Sequence, residues 1–589
     1  MKKISLLVVL TLLLSSIPFT VLADDTVCCN ITTSVEYTTI KDAVQEASSG
    51  DTIEVFGSYT ENNTITIDKN ITIKGRTGQE IVTRDTSQNQ GSMFRINNVD
   101  TGSDSIVLTI KNIILDGGAS WNDIDSISTR TDANSNAEYA LIRAKGKFIV
   151  NIDEGTVIQN CNSGEISGSF LSDLFGAGAI ACQSGKTSEL NLNGAIIKNC
   201  SIKHKSIWRG AGAICCEDIL SVNIKNSKIL QCATLDSYQN SCGGGAVFYD
   251  CETHITDSEI SGNYCYWGGG AFTQYNNVCT ITDSIISNNV ADTGGVAVIY
   301  GNGKLTLDGN TMISGNHAQQ AAGAFFVTNS SMSTIDPSIL HVLGNTKILE
   351  NEANLGGGIY CSNCRVLDVG ENAEIALNKA KKGGGIYSNA YVGMETFDIK
   401  GSIYQNKAET EGADIYAEGT SAEIIELPIA SAMHKVFYDP NDSTSTPFDI
   451  DNWYYDYAGD RFNPYSLETD SYIYNGKVLA EKNYLSLVAA SNIKYLVKVT
   501  YDKNAADAYG QQVDTNEHLW GDEITILNEG SMRRPSYSFE KWNTAADGSG
   551  IDYSPWENII IKNNMTLYAQ WDSSSTSDPG YKVPNTGID

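Results

Sequence analysis

Glu259-Ile260-Ser261-Gly262-Asn263, then Gly270-Ala271-Phe272, then Ile286-Ser287-Asn288-Asn289 and Gly295-Val296-Ala297 are the residues that decide the fold. An Ile-x-x-Asn element is followed six or seven residues later by a Gly-small-apolar element, and the pair then repeats. Outward from this stretch the glycine element recurs at Gly178-Ala179-Ile180, Gly212-Ala213-Ile214, Gly245-Ala246-Val247, Gly323-Ala324-Phe325, Gly358-Ile359-Tyr360, Gly385-Ile386-Tyr387 and Gly412-Ala413-Asp414. The asparagine element recurs at Ile313…Asn316, Ile348…Asn351, Ile375…Asn378 and Ile403…Asn406. An earlier copy reads Ile196…Asn199, and Cys232 takes the Asn place after Ile229.

Two signals keeping step over periods of 25 to 35 residues mark a repeat array. Alternation such as Thr280-Ile281-Thr282-Asp283-Ser284-Ile285 gives short strands. One coil of three short strands per repeat is therefore expected, with coils stacked at about 4.8 Å so that equivalent isoleucines form an apolar ladder. The recurrent Asn extends that ladder by amide hydrogen bonds, and the recurrent Gly suits a corner with positive φ or crowded backbone. These Gly and Asn residues read as architecture, not as a site.

The opening stretch, residues 35–160, reads as the first turns of the same solenoid. Tyr37-Thr38-Thr39-Ile40-Lys41-Asp42-Ala43-Val44 forms an amphipathic helical cap that shields the first coil from edge pairing. Ile65-Thr66-Ile67 and Ile71-Thr72-Ile73 follow as strands. This opening resembles pectin-lyase-like β-helix proteins, and the glycine and asparagine copies resemble the repeats of polymorphic outer-membrane proteins and other adhesin-like proteins. The resemblance implies a right-handed parallel β-helix on a cell surface. Here Ile-x-x-Asn stands where that repeat usually has Phe-x-x-Asn.

The glycine beat stops after Tyr416. Residues 421–496 are aromatic and acidic, with Asn452-Trp453-Tyr454-Tyr455-Asp456-Tyr457 at their centre. They serve either as a terminal cap, which a solenoid needs, or as an aromatic platform for sugars. From Val497 a β-rich unit begins. Its marks are Val499-Thr500-Tyr501-Asp502, Trp542-Asn543-Thr544…Asp547-Gly548-Ser549-Gly550 and Leu567-Tyr568-Ala569-Gln570-Trp571. These are similar to the Listeria–Bacteroides repeat of internalin-type surface proteins. The resemblance implies a small β-grasp-like module with a stalk or partner-binding role; Lys541 replaces the usual Gly before Trp542.

The ends speak to location. Lys2 and Lys3, an apolar run from Ile4 to Val21 and the small Ala23 read as a signal peptide cut before Asp24. A Ser/Asp-rich spacer ends in Val583-Pro584-Asn585-Thr586-Gly587, which resembles a sortase sorting signal with Val583 in place of Leu. Such a signal implies attachment to peptidoglycan. The expected organisation is signal peptide 1–23, parallel β-helix 24–420, cap or linker 421–496, repeat module 497–571 and spacer 572–589. The fold class is all-β.

Forty basic and seventy acidic residues give a net charge of −30, which excludes nucleic acid as a natural partner. Glycoside hydrolysis needs two carboxylates at a set separation. No Gly-His-Gly element or Arg-x-Pro-x-x-Arg element marks such chemistry in the repeats, and His204, His254, His317 and His341 read as isolated. No catalytic residue, cofactor or metal is assigned.

Fourteen cysteines are the chemical oddity. Cys161 and Cys200 each follow a repeat Asn, and Cys182 and Cys216 each lie four residues after a repeat Gly. Equivalent places in adjacent coils put Cα atoms near 4.8 Å apart, inside the disulfide range. Disulfides Cys161–Cys200 and Cys182–Cys216 and a ladder of unbonded apolar thiols are both open readings. Zinc is the rival for Cys361-x-x-Cys364, which lacks a second ligand pair. The sequence thus points to a secreted, surface or wall-displayed binding protein, adhesin-like and non-catalytic, whose partner is a glycan or a protein on another surface. The alternative is a polysaccharide lyase or glycoside hydrolase of the pectin-lyase-like fold.

Overall fold

The computed structural model describes residues 26–573 apart from 89–90, 101, 121–138, 164–174, 204–208, 236–241, 329–337, 363, 365, 390–395, 419–423, 428–451, 456–470, 475–476, 482–483, 491–495, 517, 520–521 and 562–564. Residues 1–23, where a signal peptide is expected, and the sorting-like Val583 to Gly587 lie outside the described residues. The chain divides into two compact units, 1–490 and 491–589.

The first unit is a parallel β-helix. One coil runs through Phe272–Tyr275, Val278–Thr282, Ile285–Ser287 and Val290–Thr293, and the next through Ala297–Tyr300, Lys304–Asp308, Met312–Ser314 and His317–Ala321. Every one of these pairs in parallel with its counterpart. Each coil therefore holds four strand segments rather than three, because the residues after the ladder Asn also hydrogen-bond to the neighbouring coil. The strand Val278–Thr282 alternates outward and inward, with Cys279 and Ile281 buried. A stack of isoleucines, Ile260, Ile286, Ile313, Ile348, Ile375 and Ile403, runs unbroken down the interior at 0% exposure.

The recurrent Asn lies inside the coil. Asn289 Oδ1 accepts from both the backbone N–H (3.0 Å) and Nδ2 (2.9 Å) of Asn263, and Asn316, Asn351, Asn378 and Asn406 repeat the arrangement. Each Nδ2 also reaches a carbonyl of the coil before, as Asn263 does to Ile229 O at 3.1 Å. The residue preceding each column member is left-handed: Asn199, Gln231, Gly262, Asn288, Gly315, Glu350, Leu377 and Gln405 all have φ between 52° and 64°. This corner favours Gly and Asn. It explains the Gly-Asn and Asn-Asn pairs in the sequence.

Strand register corrects one expected Asn copy and four expected glycine copies (Gly245, Gly358, Gly385 and Gly412). Ile197, not Ile196, pairs with Ile229, so Cys200 and not Asn199 is in the Asn column. Asn199 occupies the left-handed corner instead. Likewise Ile214 pairs with Ala246 and Phe325 with Ile359, so the stacked glycines are Gly178, Gly212, Gly244, Gly270, Gly295, Gly323, Gly357 and Gly384, with Ala413 last. Crowding, not positive φ, demands glycine there. A Cβ at any of the eight would strike the backbone carbonyl of the next coil.

Both ends are closed. Thr39 caps the helix Ile40–Glu46, whose Ile40, Ala43 and Val44 are buried against the first coil. Strand Cys28–Asn30 pairs antiparallel with Thr52–Val55. At the far end Ile415–Glu418 and Ile424–Leu427 pair antiparallel with Tyr484–Ala490 and Lys477–Glu481, so parallel stacking stops.

In the second unit Val499–Asp502 runs parallel to Met565–Asp572, which pairs antiparallel with Ser538–Asn543. Trp542, fully buried, packs on Tyr501 and Phe539 and donates its indole N–H to Leu527 O at 2.8 Å.

Candidate functional site

The candidate disulfide residues Cys161 with Cys200 and Cys182 with Cys216 lie in matched places on adjacent coils, unbonded, and Cys200 stands in the Asn column rather than one residue beyond it. Cys182 and Cys216 are direct partners in parallel strands, and Phe248 is next in that column. Cys161 and Cys200 each follow by three residues a pair of matched isoleucines, Ile158 and Ile197. Cys232 continues the same column after Ile229, and its N–H donates to Asn263 Oδ1 at 2.9 Å. The Asn ladder thus becomes a thiol ladder in the earlier coils. The sequence reading missed Cys232 because it set Cys232 in the Asn place and Cys200 one residue beyond it.

All fourteen cysteines are thiols in this structure, and all but Cys29 are buried. Sγ of Cys161, Cys200 and Cys232 donates to the carbonyl two residues earlier, at 3.3, 3.2 and 3.3 Å. Burial, reinforced by hydrogen bonding to Cys161 and Cys232, holds the Cys200 thiol well above the ordinary range. Burial and Cys182 do the same to Cys216. Such thiols are inert while the coils are closed. Cys361 and Cys364 are both core residues at 0% exposure. Among the described residues no group of three His, Cys, Asp or Glu side chains is placed to hold a metal ion.

A polar column covers one outer face. Thr109, Asn151, Asn191, Asn223, His254, Thr280, Thr306, His341, Asp368 and Asp398 stand in register on successive coils. Asn223 Nδ2 donates to Asn191 Oδ1 at 2.8 Å, Asn191 to Asn151 at 3.0 Å, and Asn151 to Thr109 Oγ1 at 3.2 Å. Two histidines read as isolated are not: His254 lies 3.3 Å from Glu252, and His341 Nδ1 lies 3.3 Å from Asp368 Oδ2. Asp398 is the next residue in the column and pairs with Lys400 at 2.6 Å. His341, Asp368, Asp398 and Lys400 thus form a part-exposed group in which Asp368 faces the His341 ring and Asp398 faces the Lys400 ammonium. Asp368 and Asp398 stack as two carboxylates near the coil spacing, the arrangement that acid–base chemistry on a sugar would need.

Aromatic side chains form rows rather than platforms. Tyr249 and Tyr275 stack face to face, centroids 4.8 Å apart and planes 3° from parallel. Phe326, Tyr360, Tyr387 and Tyr416 continue a second row with centroids 4.7 to 5.3 Å apart. Tyr249–Tyr275 and Tyr387–Tyr416 stack face to face, whereas Tyr360 meets Phe326 and Tyr387 edge-on, with planes 70° and 89° apart. The strand Asn452–Tyr455 is present, but its side chains lie outside the described residues.

Large apolar side chains are exposed in the second unit: Tyr509, Val513, Ile551, Trp556 and Ile560 are each close to half exposed or more. Trp556 is held at φ 68° and donates its backbone N–H to Ile526 O at 2.8 Å. His518 Nε2 and Asp514 Oδ2, 2.7 Å apart, form a nearly enclosed pair beside the strand Leu496–Val497.

Residues 498–570 match the Listeria-Bacteroides repeat domain family. The chain is 37% identical over 78 residues to a protein of Evansella cellulosilytica named "Putative Gly-rich membrane protein", covering 12% of this chain and 9% of that protein. It is 31% identical over 110 residues to another from the same organism, named "Putative membrane protein", covering 18% of this chain and 16% of that one. The chain thus spans less than a fifth of the length of these relatives. No solved structure matches it.

Proposed function

We propose that this is an exported cell-envelope surface protein, adhesin-like and non-catalytic, that presents its β-helix to a glycan or to a protein on another surface. The observation that carries this reading is the union of a long parallel β-helix with a Listeria-Bacteroides repeat at 498–570. Relatives named as membrane proteins support an envelope location. The Lys2-Lys3 leader supports export, and Val583 to Gly587 supports attachment to peptidoglycan by a sortase. The β-helix is of the pectin-lyase-like kind in this reading, used as a rigid stalk whose loops and outer columns meet the partner, while the terminal module serves as stalk or partner-binding element.

A second reading has one specific observation behind it: the stacked Asp368 and Asp398 with His341 and Lys400. It makes the chain a polysaccharide lyase or glycoside hydrolase. Screening residues 24–573 on glycan and host-matrix arrays, with sugar release assayed in parallel, separates the two. Binding without release supports the adhesin-like reading. Release that is lost in both Asp368→Asn and Asp398→Asn replaces it with the enzyme.

A further inference from the structure

We propose that Cys161, Cys200 and Cys232 form one disulfide site with two alternative pairings, Cys161–Cys200 and Cys200–Cys232, both centred on Cys200. The three residues occupy one register position on three successive coils. Coil spacing of about 4.8 Å puts each neighbouring pair of Cα atoms inside the disulfide range, and the outer pair at about twice that distance, beyond it. Backbone bonds lock this register, Ser201 N–H donating to Cys161 O at 2.8 Å and Ala233 N–H to Cys200 O at 2.9 Å. The three side chains share one orientation, each Sγ turned to the carbonyl two residues back.

All three are at 0% exposure. An oxidant therefore reaches them only while these coils are unstacked. The oxidant is a low-molecular-weight disulfide. The thiolate of one cysteine attacks it, a mixed disulfide forms and one small thiol leaves. The second cysteine, as thiolate, attacks the mixed disulfide, the Cys–Cys bond forms and the second small thiol leaves. Two cysteine thiols are oxidised, and the small disulfide is reduced to two thiols that carry the two protons. A three-member column holds one such bond and leaves one end thiol. Cys182 and Cys216, with Phe248 next in line, form a two-member column with a single pairing between them.

The test is refolding of the full chain in glutathione redox buffer, alkylation in denaturant and non-reducing peptide mapping. The native sequence should yield both Cys161–Cys200 and Cys200–Cys232 linked peptides and no Cys161–Cys232. Cys161→Ser should retain the second bond, Cys232→Ser the first, and Cys200→Ser neither. Recovery of a single pairing in the native sequence, or of all three as alkylated thiols, overturns the proposal. The native-sequence map decides the matter even if a variant misfolds.

Discussion

Asp414 ends the asparagine ladder by standing in for the next asparagine. Its Oδ1 accepts from Asn406 N–H at 3.1 Å and from Asn406 Nδ2 at 2.8 Å, the two bonds that every earlier ladder member makes to the Asn of the following coil. The substitution comes eight residues on in the same chain rather than a full coil on, because the parallel stack stops there. At the other end Cys232 donates only its backbone N–H to Asn263, so the amide chain begins without a side-chain donor.

Removing one amide from the middle of that chain should be costly. Asn316→Ala strips the acceptor from two donors of Asn289 and leaves Asn351 Oδ1 without its partners' full set. A loss of about 2–4 kcal/mol is expected from the donors left buried without acceptors, read as a lower urea midpoint. Asp414→Asn, which keeps an acceptor oxygen, should cost much less than Asp414→Ala. Equal effects of the two would mean that the ladder does not need its terminus.

Glycine in the crowded column should be irreplaceable where other glycines are not. A methyl at Gly323 meets the carbonyl of Gly357 and the N–H of Glu352, both backbone, whereas at Gly370 the nearest atom is a Leu343 methyl at 3.4 Å. Gly323→Ala should destabilise the β-helix by at least about 3 kcal/mol, and Gly370→Ala by less than about 1 kcal/mol. Thermal unfolding followed by far-ultraviolet circular dichroism compares them.

Acid should weaken cross-coil ion pairs in a predictable window. Hydrogen bonds from Lys228 (2.8 Å) and Ser261 (2.8 Å) hold the Glu259 carboxyl below its ordinary value of 4.5. A folded-state value below the unfolded one contributes stability that is present above about pH 4.5 and lost as pH falls through the folded value. The pair is part-exposed, so its share is below about 1 kcal/mol. Glu259→Gln should lower the urea midpoint at pH 7 and converge with the unaltered protein near pH 3. A difference that persists at pH 3 would assign the effect to packing instead.

Thiol reactivity should divide the cysteines. Cys29 is the one cysteine that is only half-buried, and this partial burial, with Glu36 and Glu54 nearby, raises its pKa. Burial pushes the Cys251 thiol up to about 12. Treating the protein under reducing-then-native conditions with a thiol reagent at pH 8 should modify Cys29 slowly and leave the other thirteen until denaturant is added. Rapid labelling of Cys200 or Cys216 in the native protein would contradict their enclosure.

The second unit should fail by itself when its centre is removed. Trp542→Ala deletes a fully buried indole and its bond to Leu527, at a cost of about 3–5 kcal/mol. Calorimetry of the full chain should lose the module's transition and keep that of the β-helix.

The period, the all-β class and the apolar isoleucine stack were determined by the sequence itself, since ladder residues must recur at every coil whatever the loops do. The helix at Ile40–Glu46 was likewise legible as an amphipathic run closing the solenoid, and the terminal module from its Trp-Asn-Thr and Leu-Tyr-Ala-Gln-Trp stretches. Register was not legible to the residue. Gly-Gly and Asn-Cys pairs offer two candidates for one column, and only hydrogen bonding between coils chose Gly244 over Gly245 and Cys200 over Asn199. The outer group of His341, Asp368, Asp398 and Lys400 was hidden for a related reason: its acids sit 30 residues apart in sequence and meet only because two coils of 27 and 30 residues stack in phase. Periodicity follows from what each coil must bury, but which side chains become neighbours follows from the loop lengths that the stacked backbone absorbs.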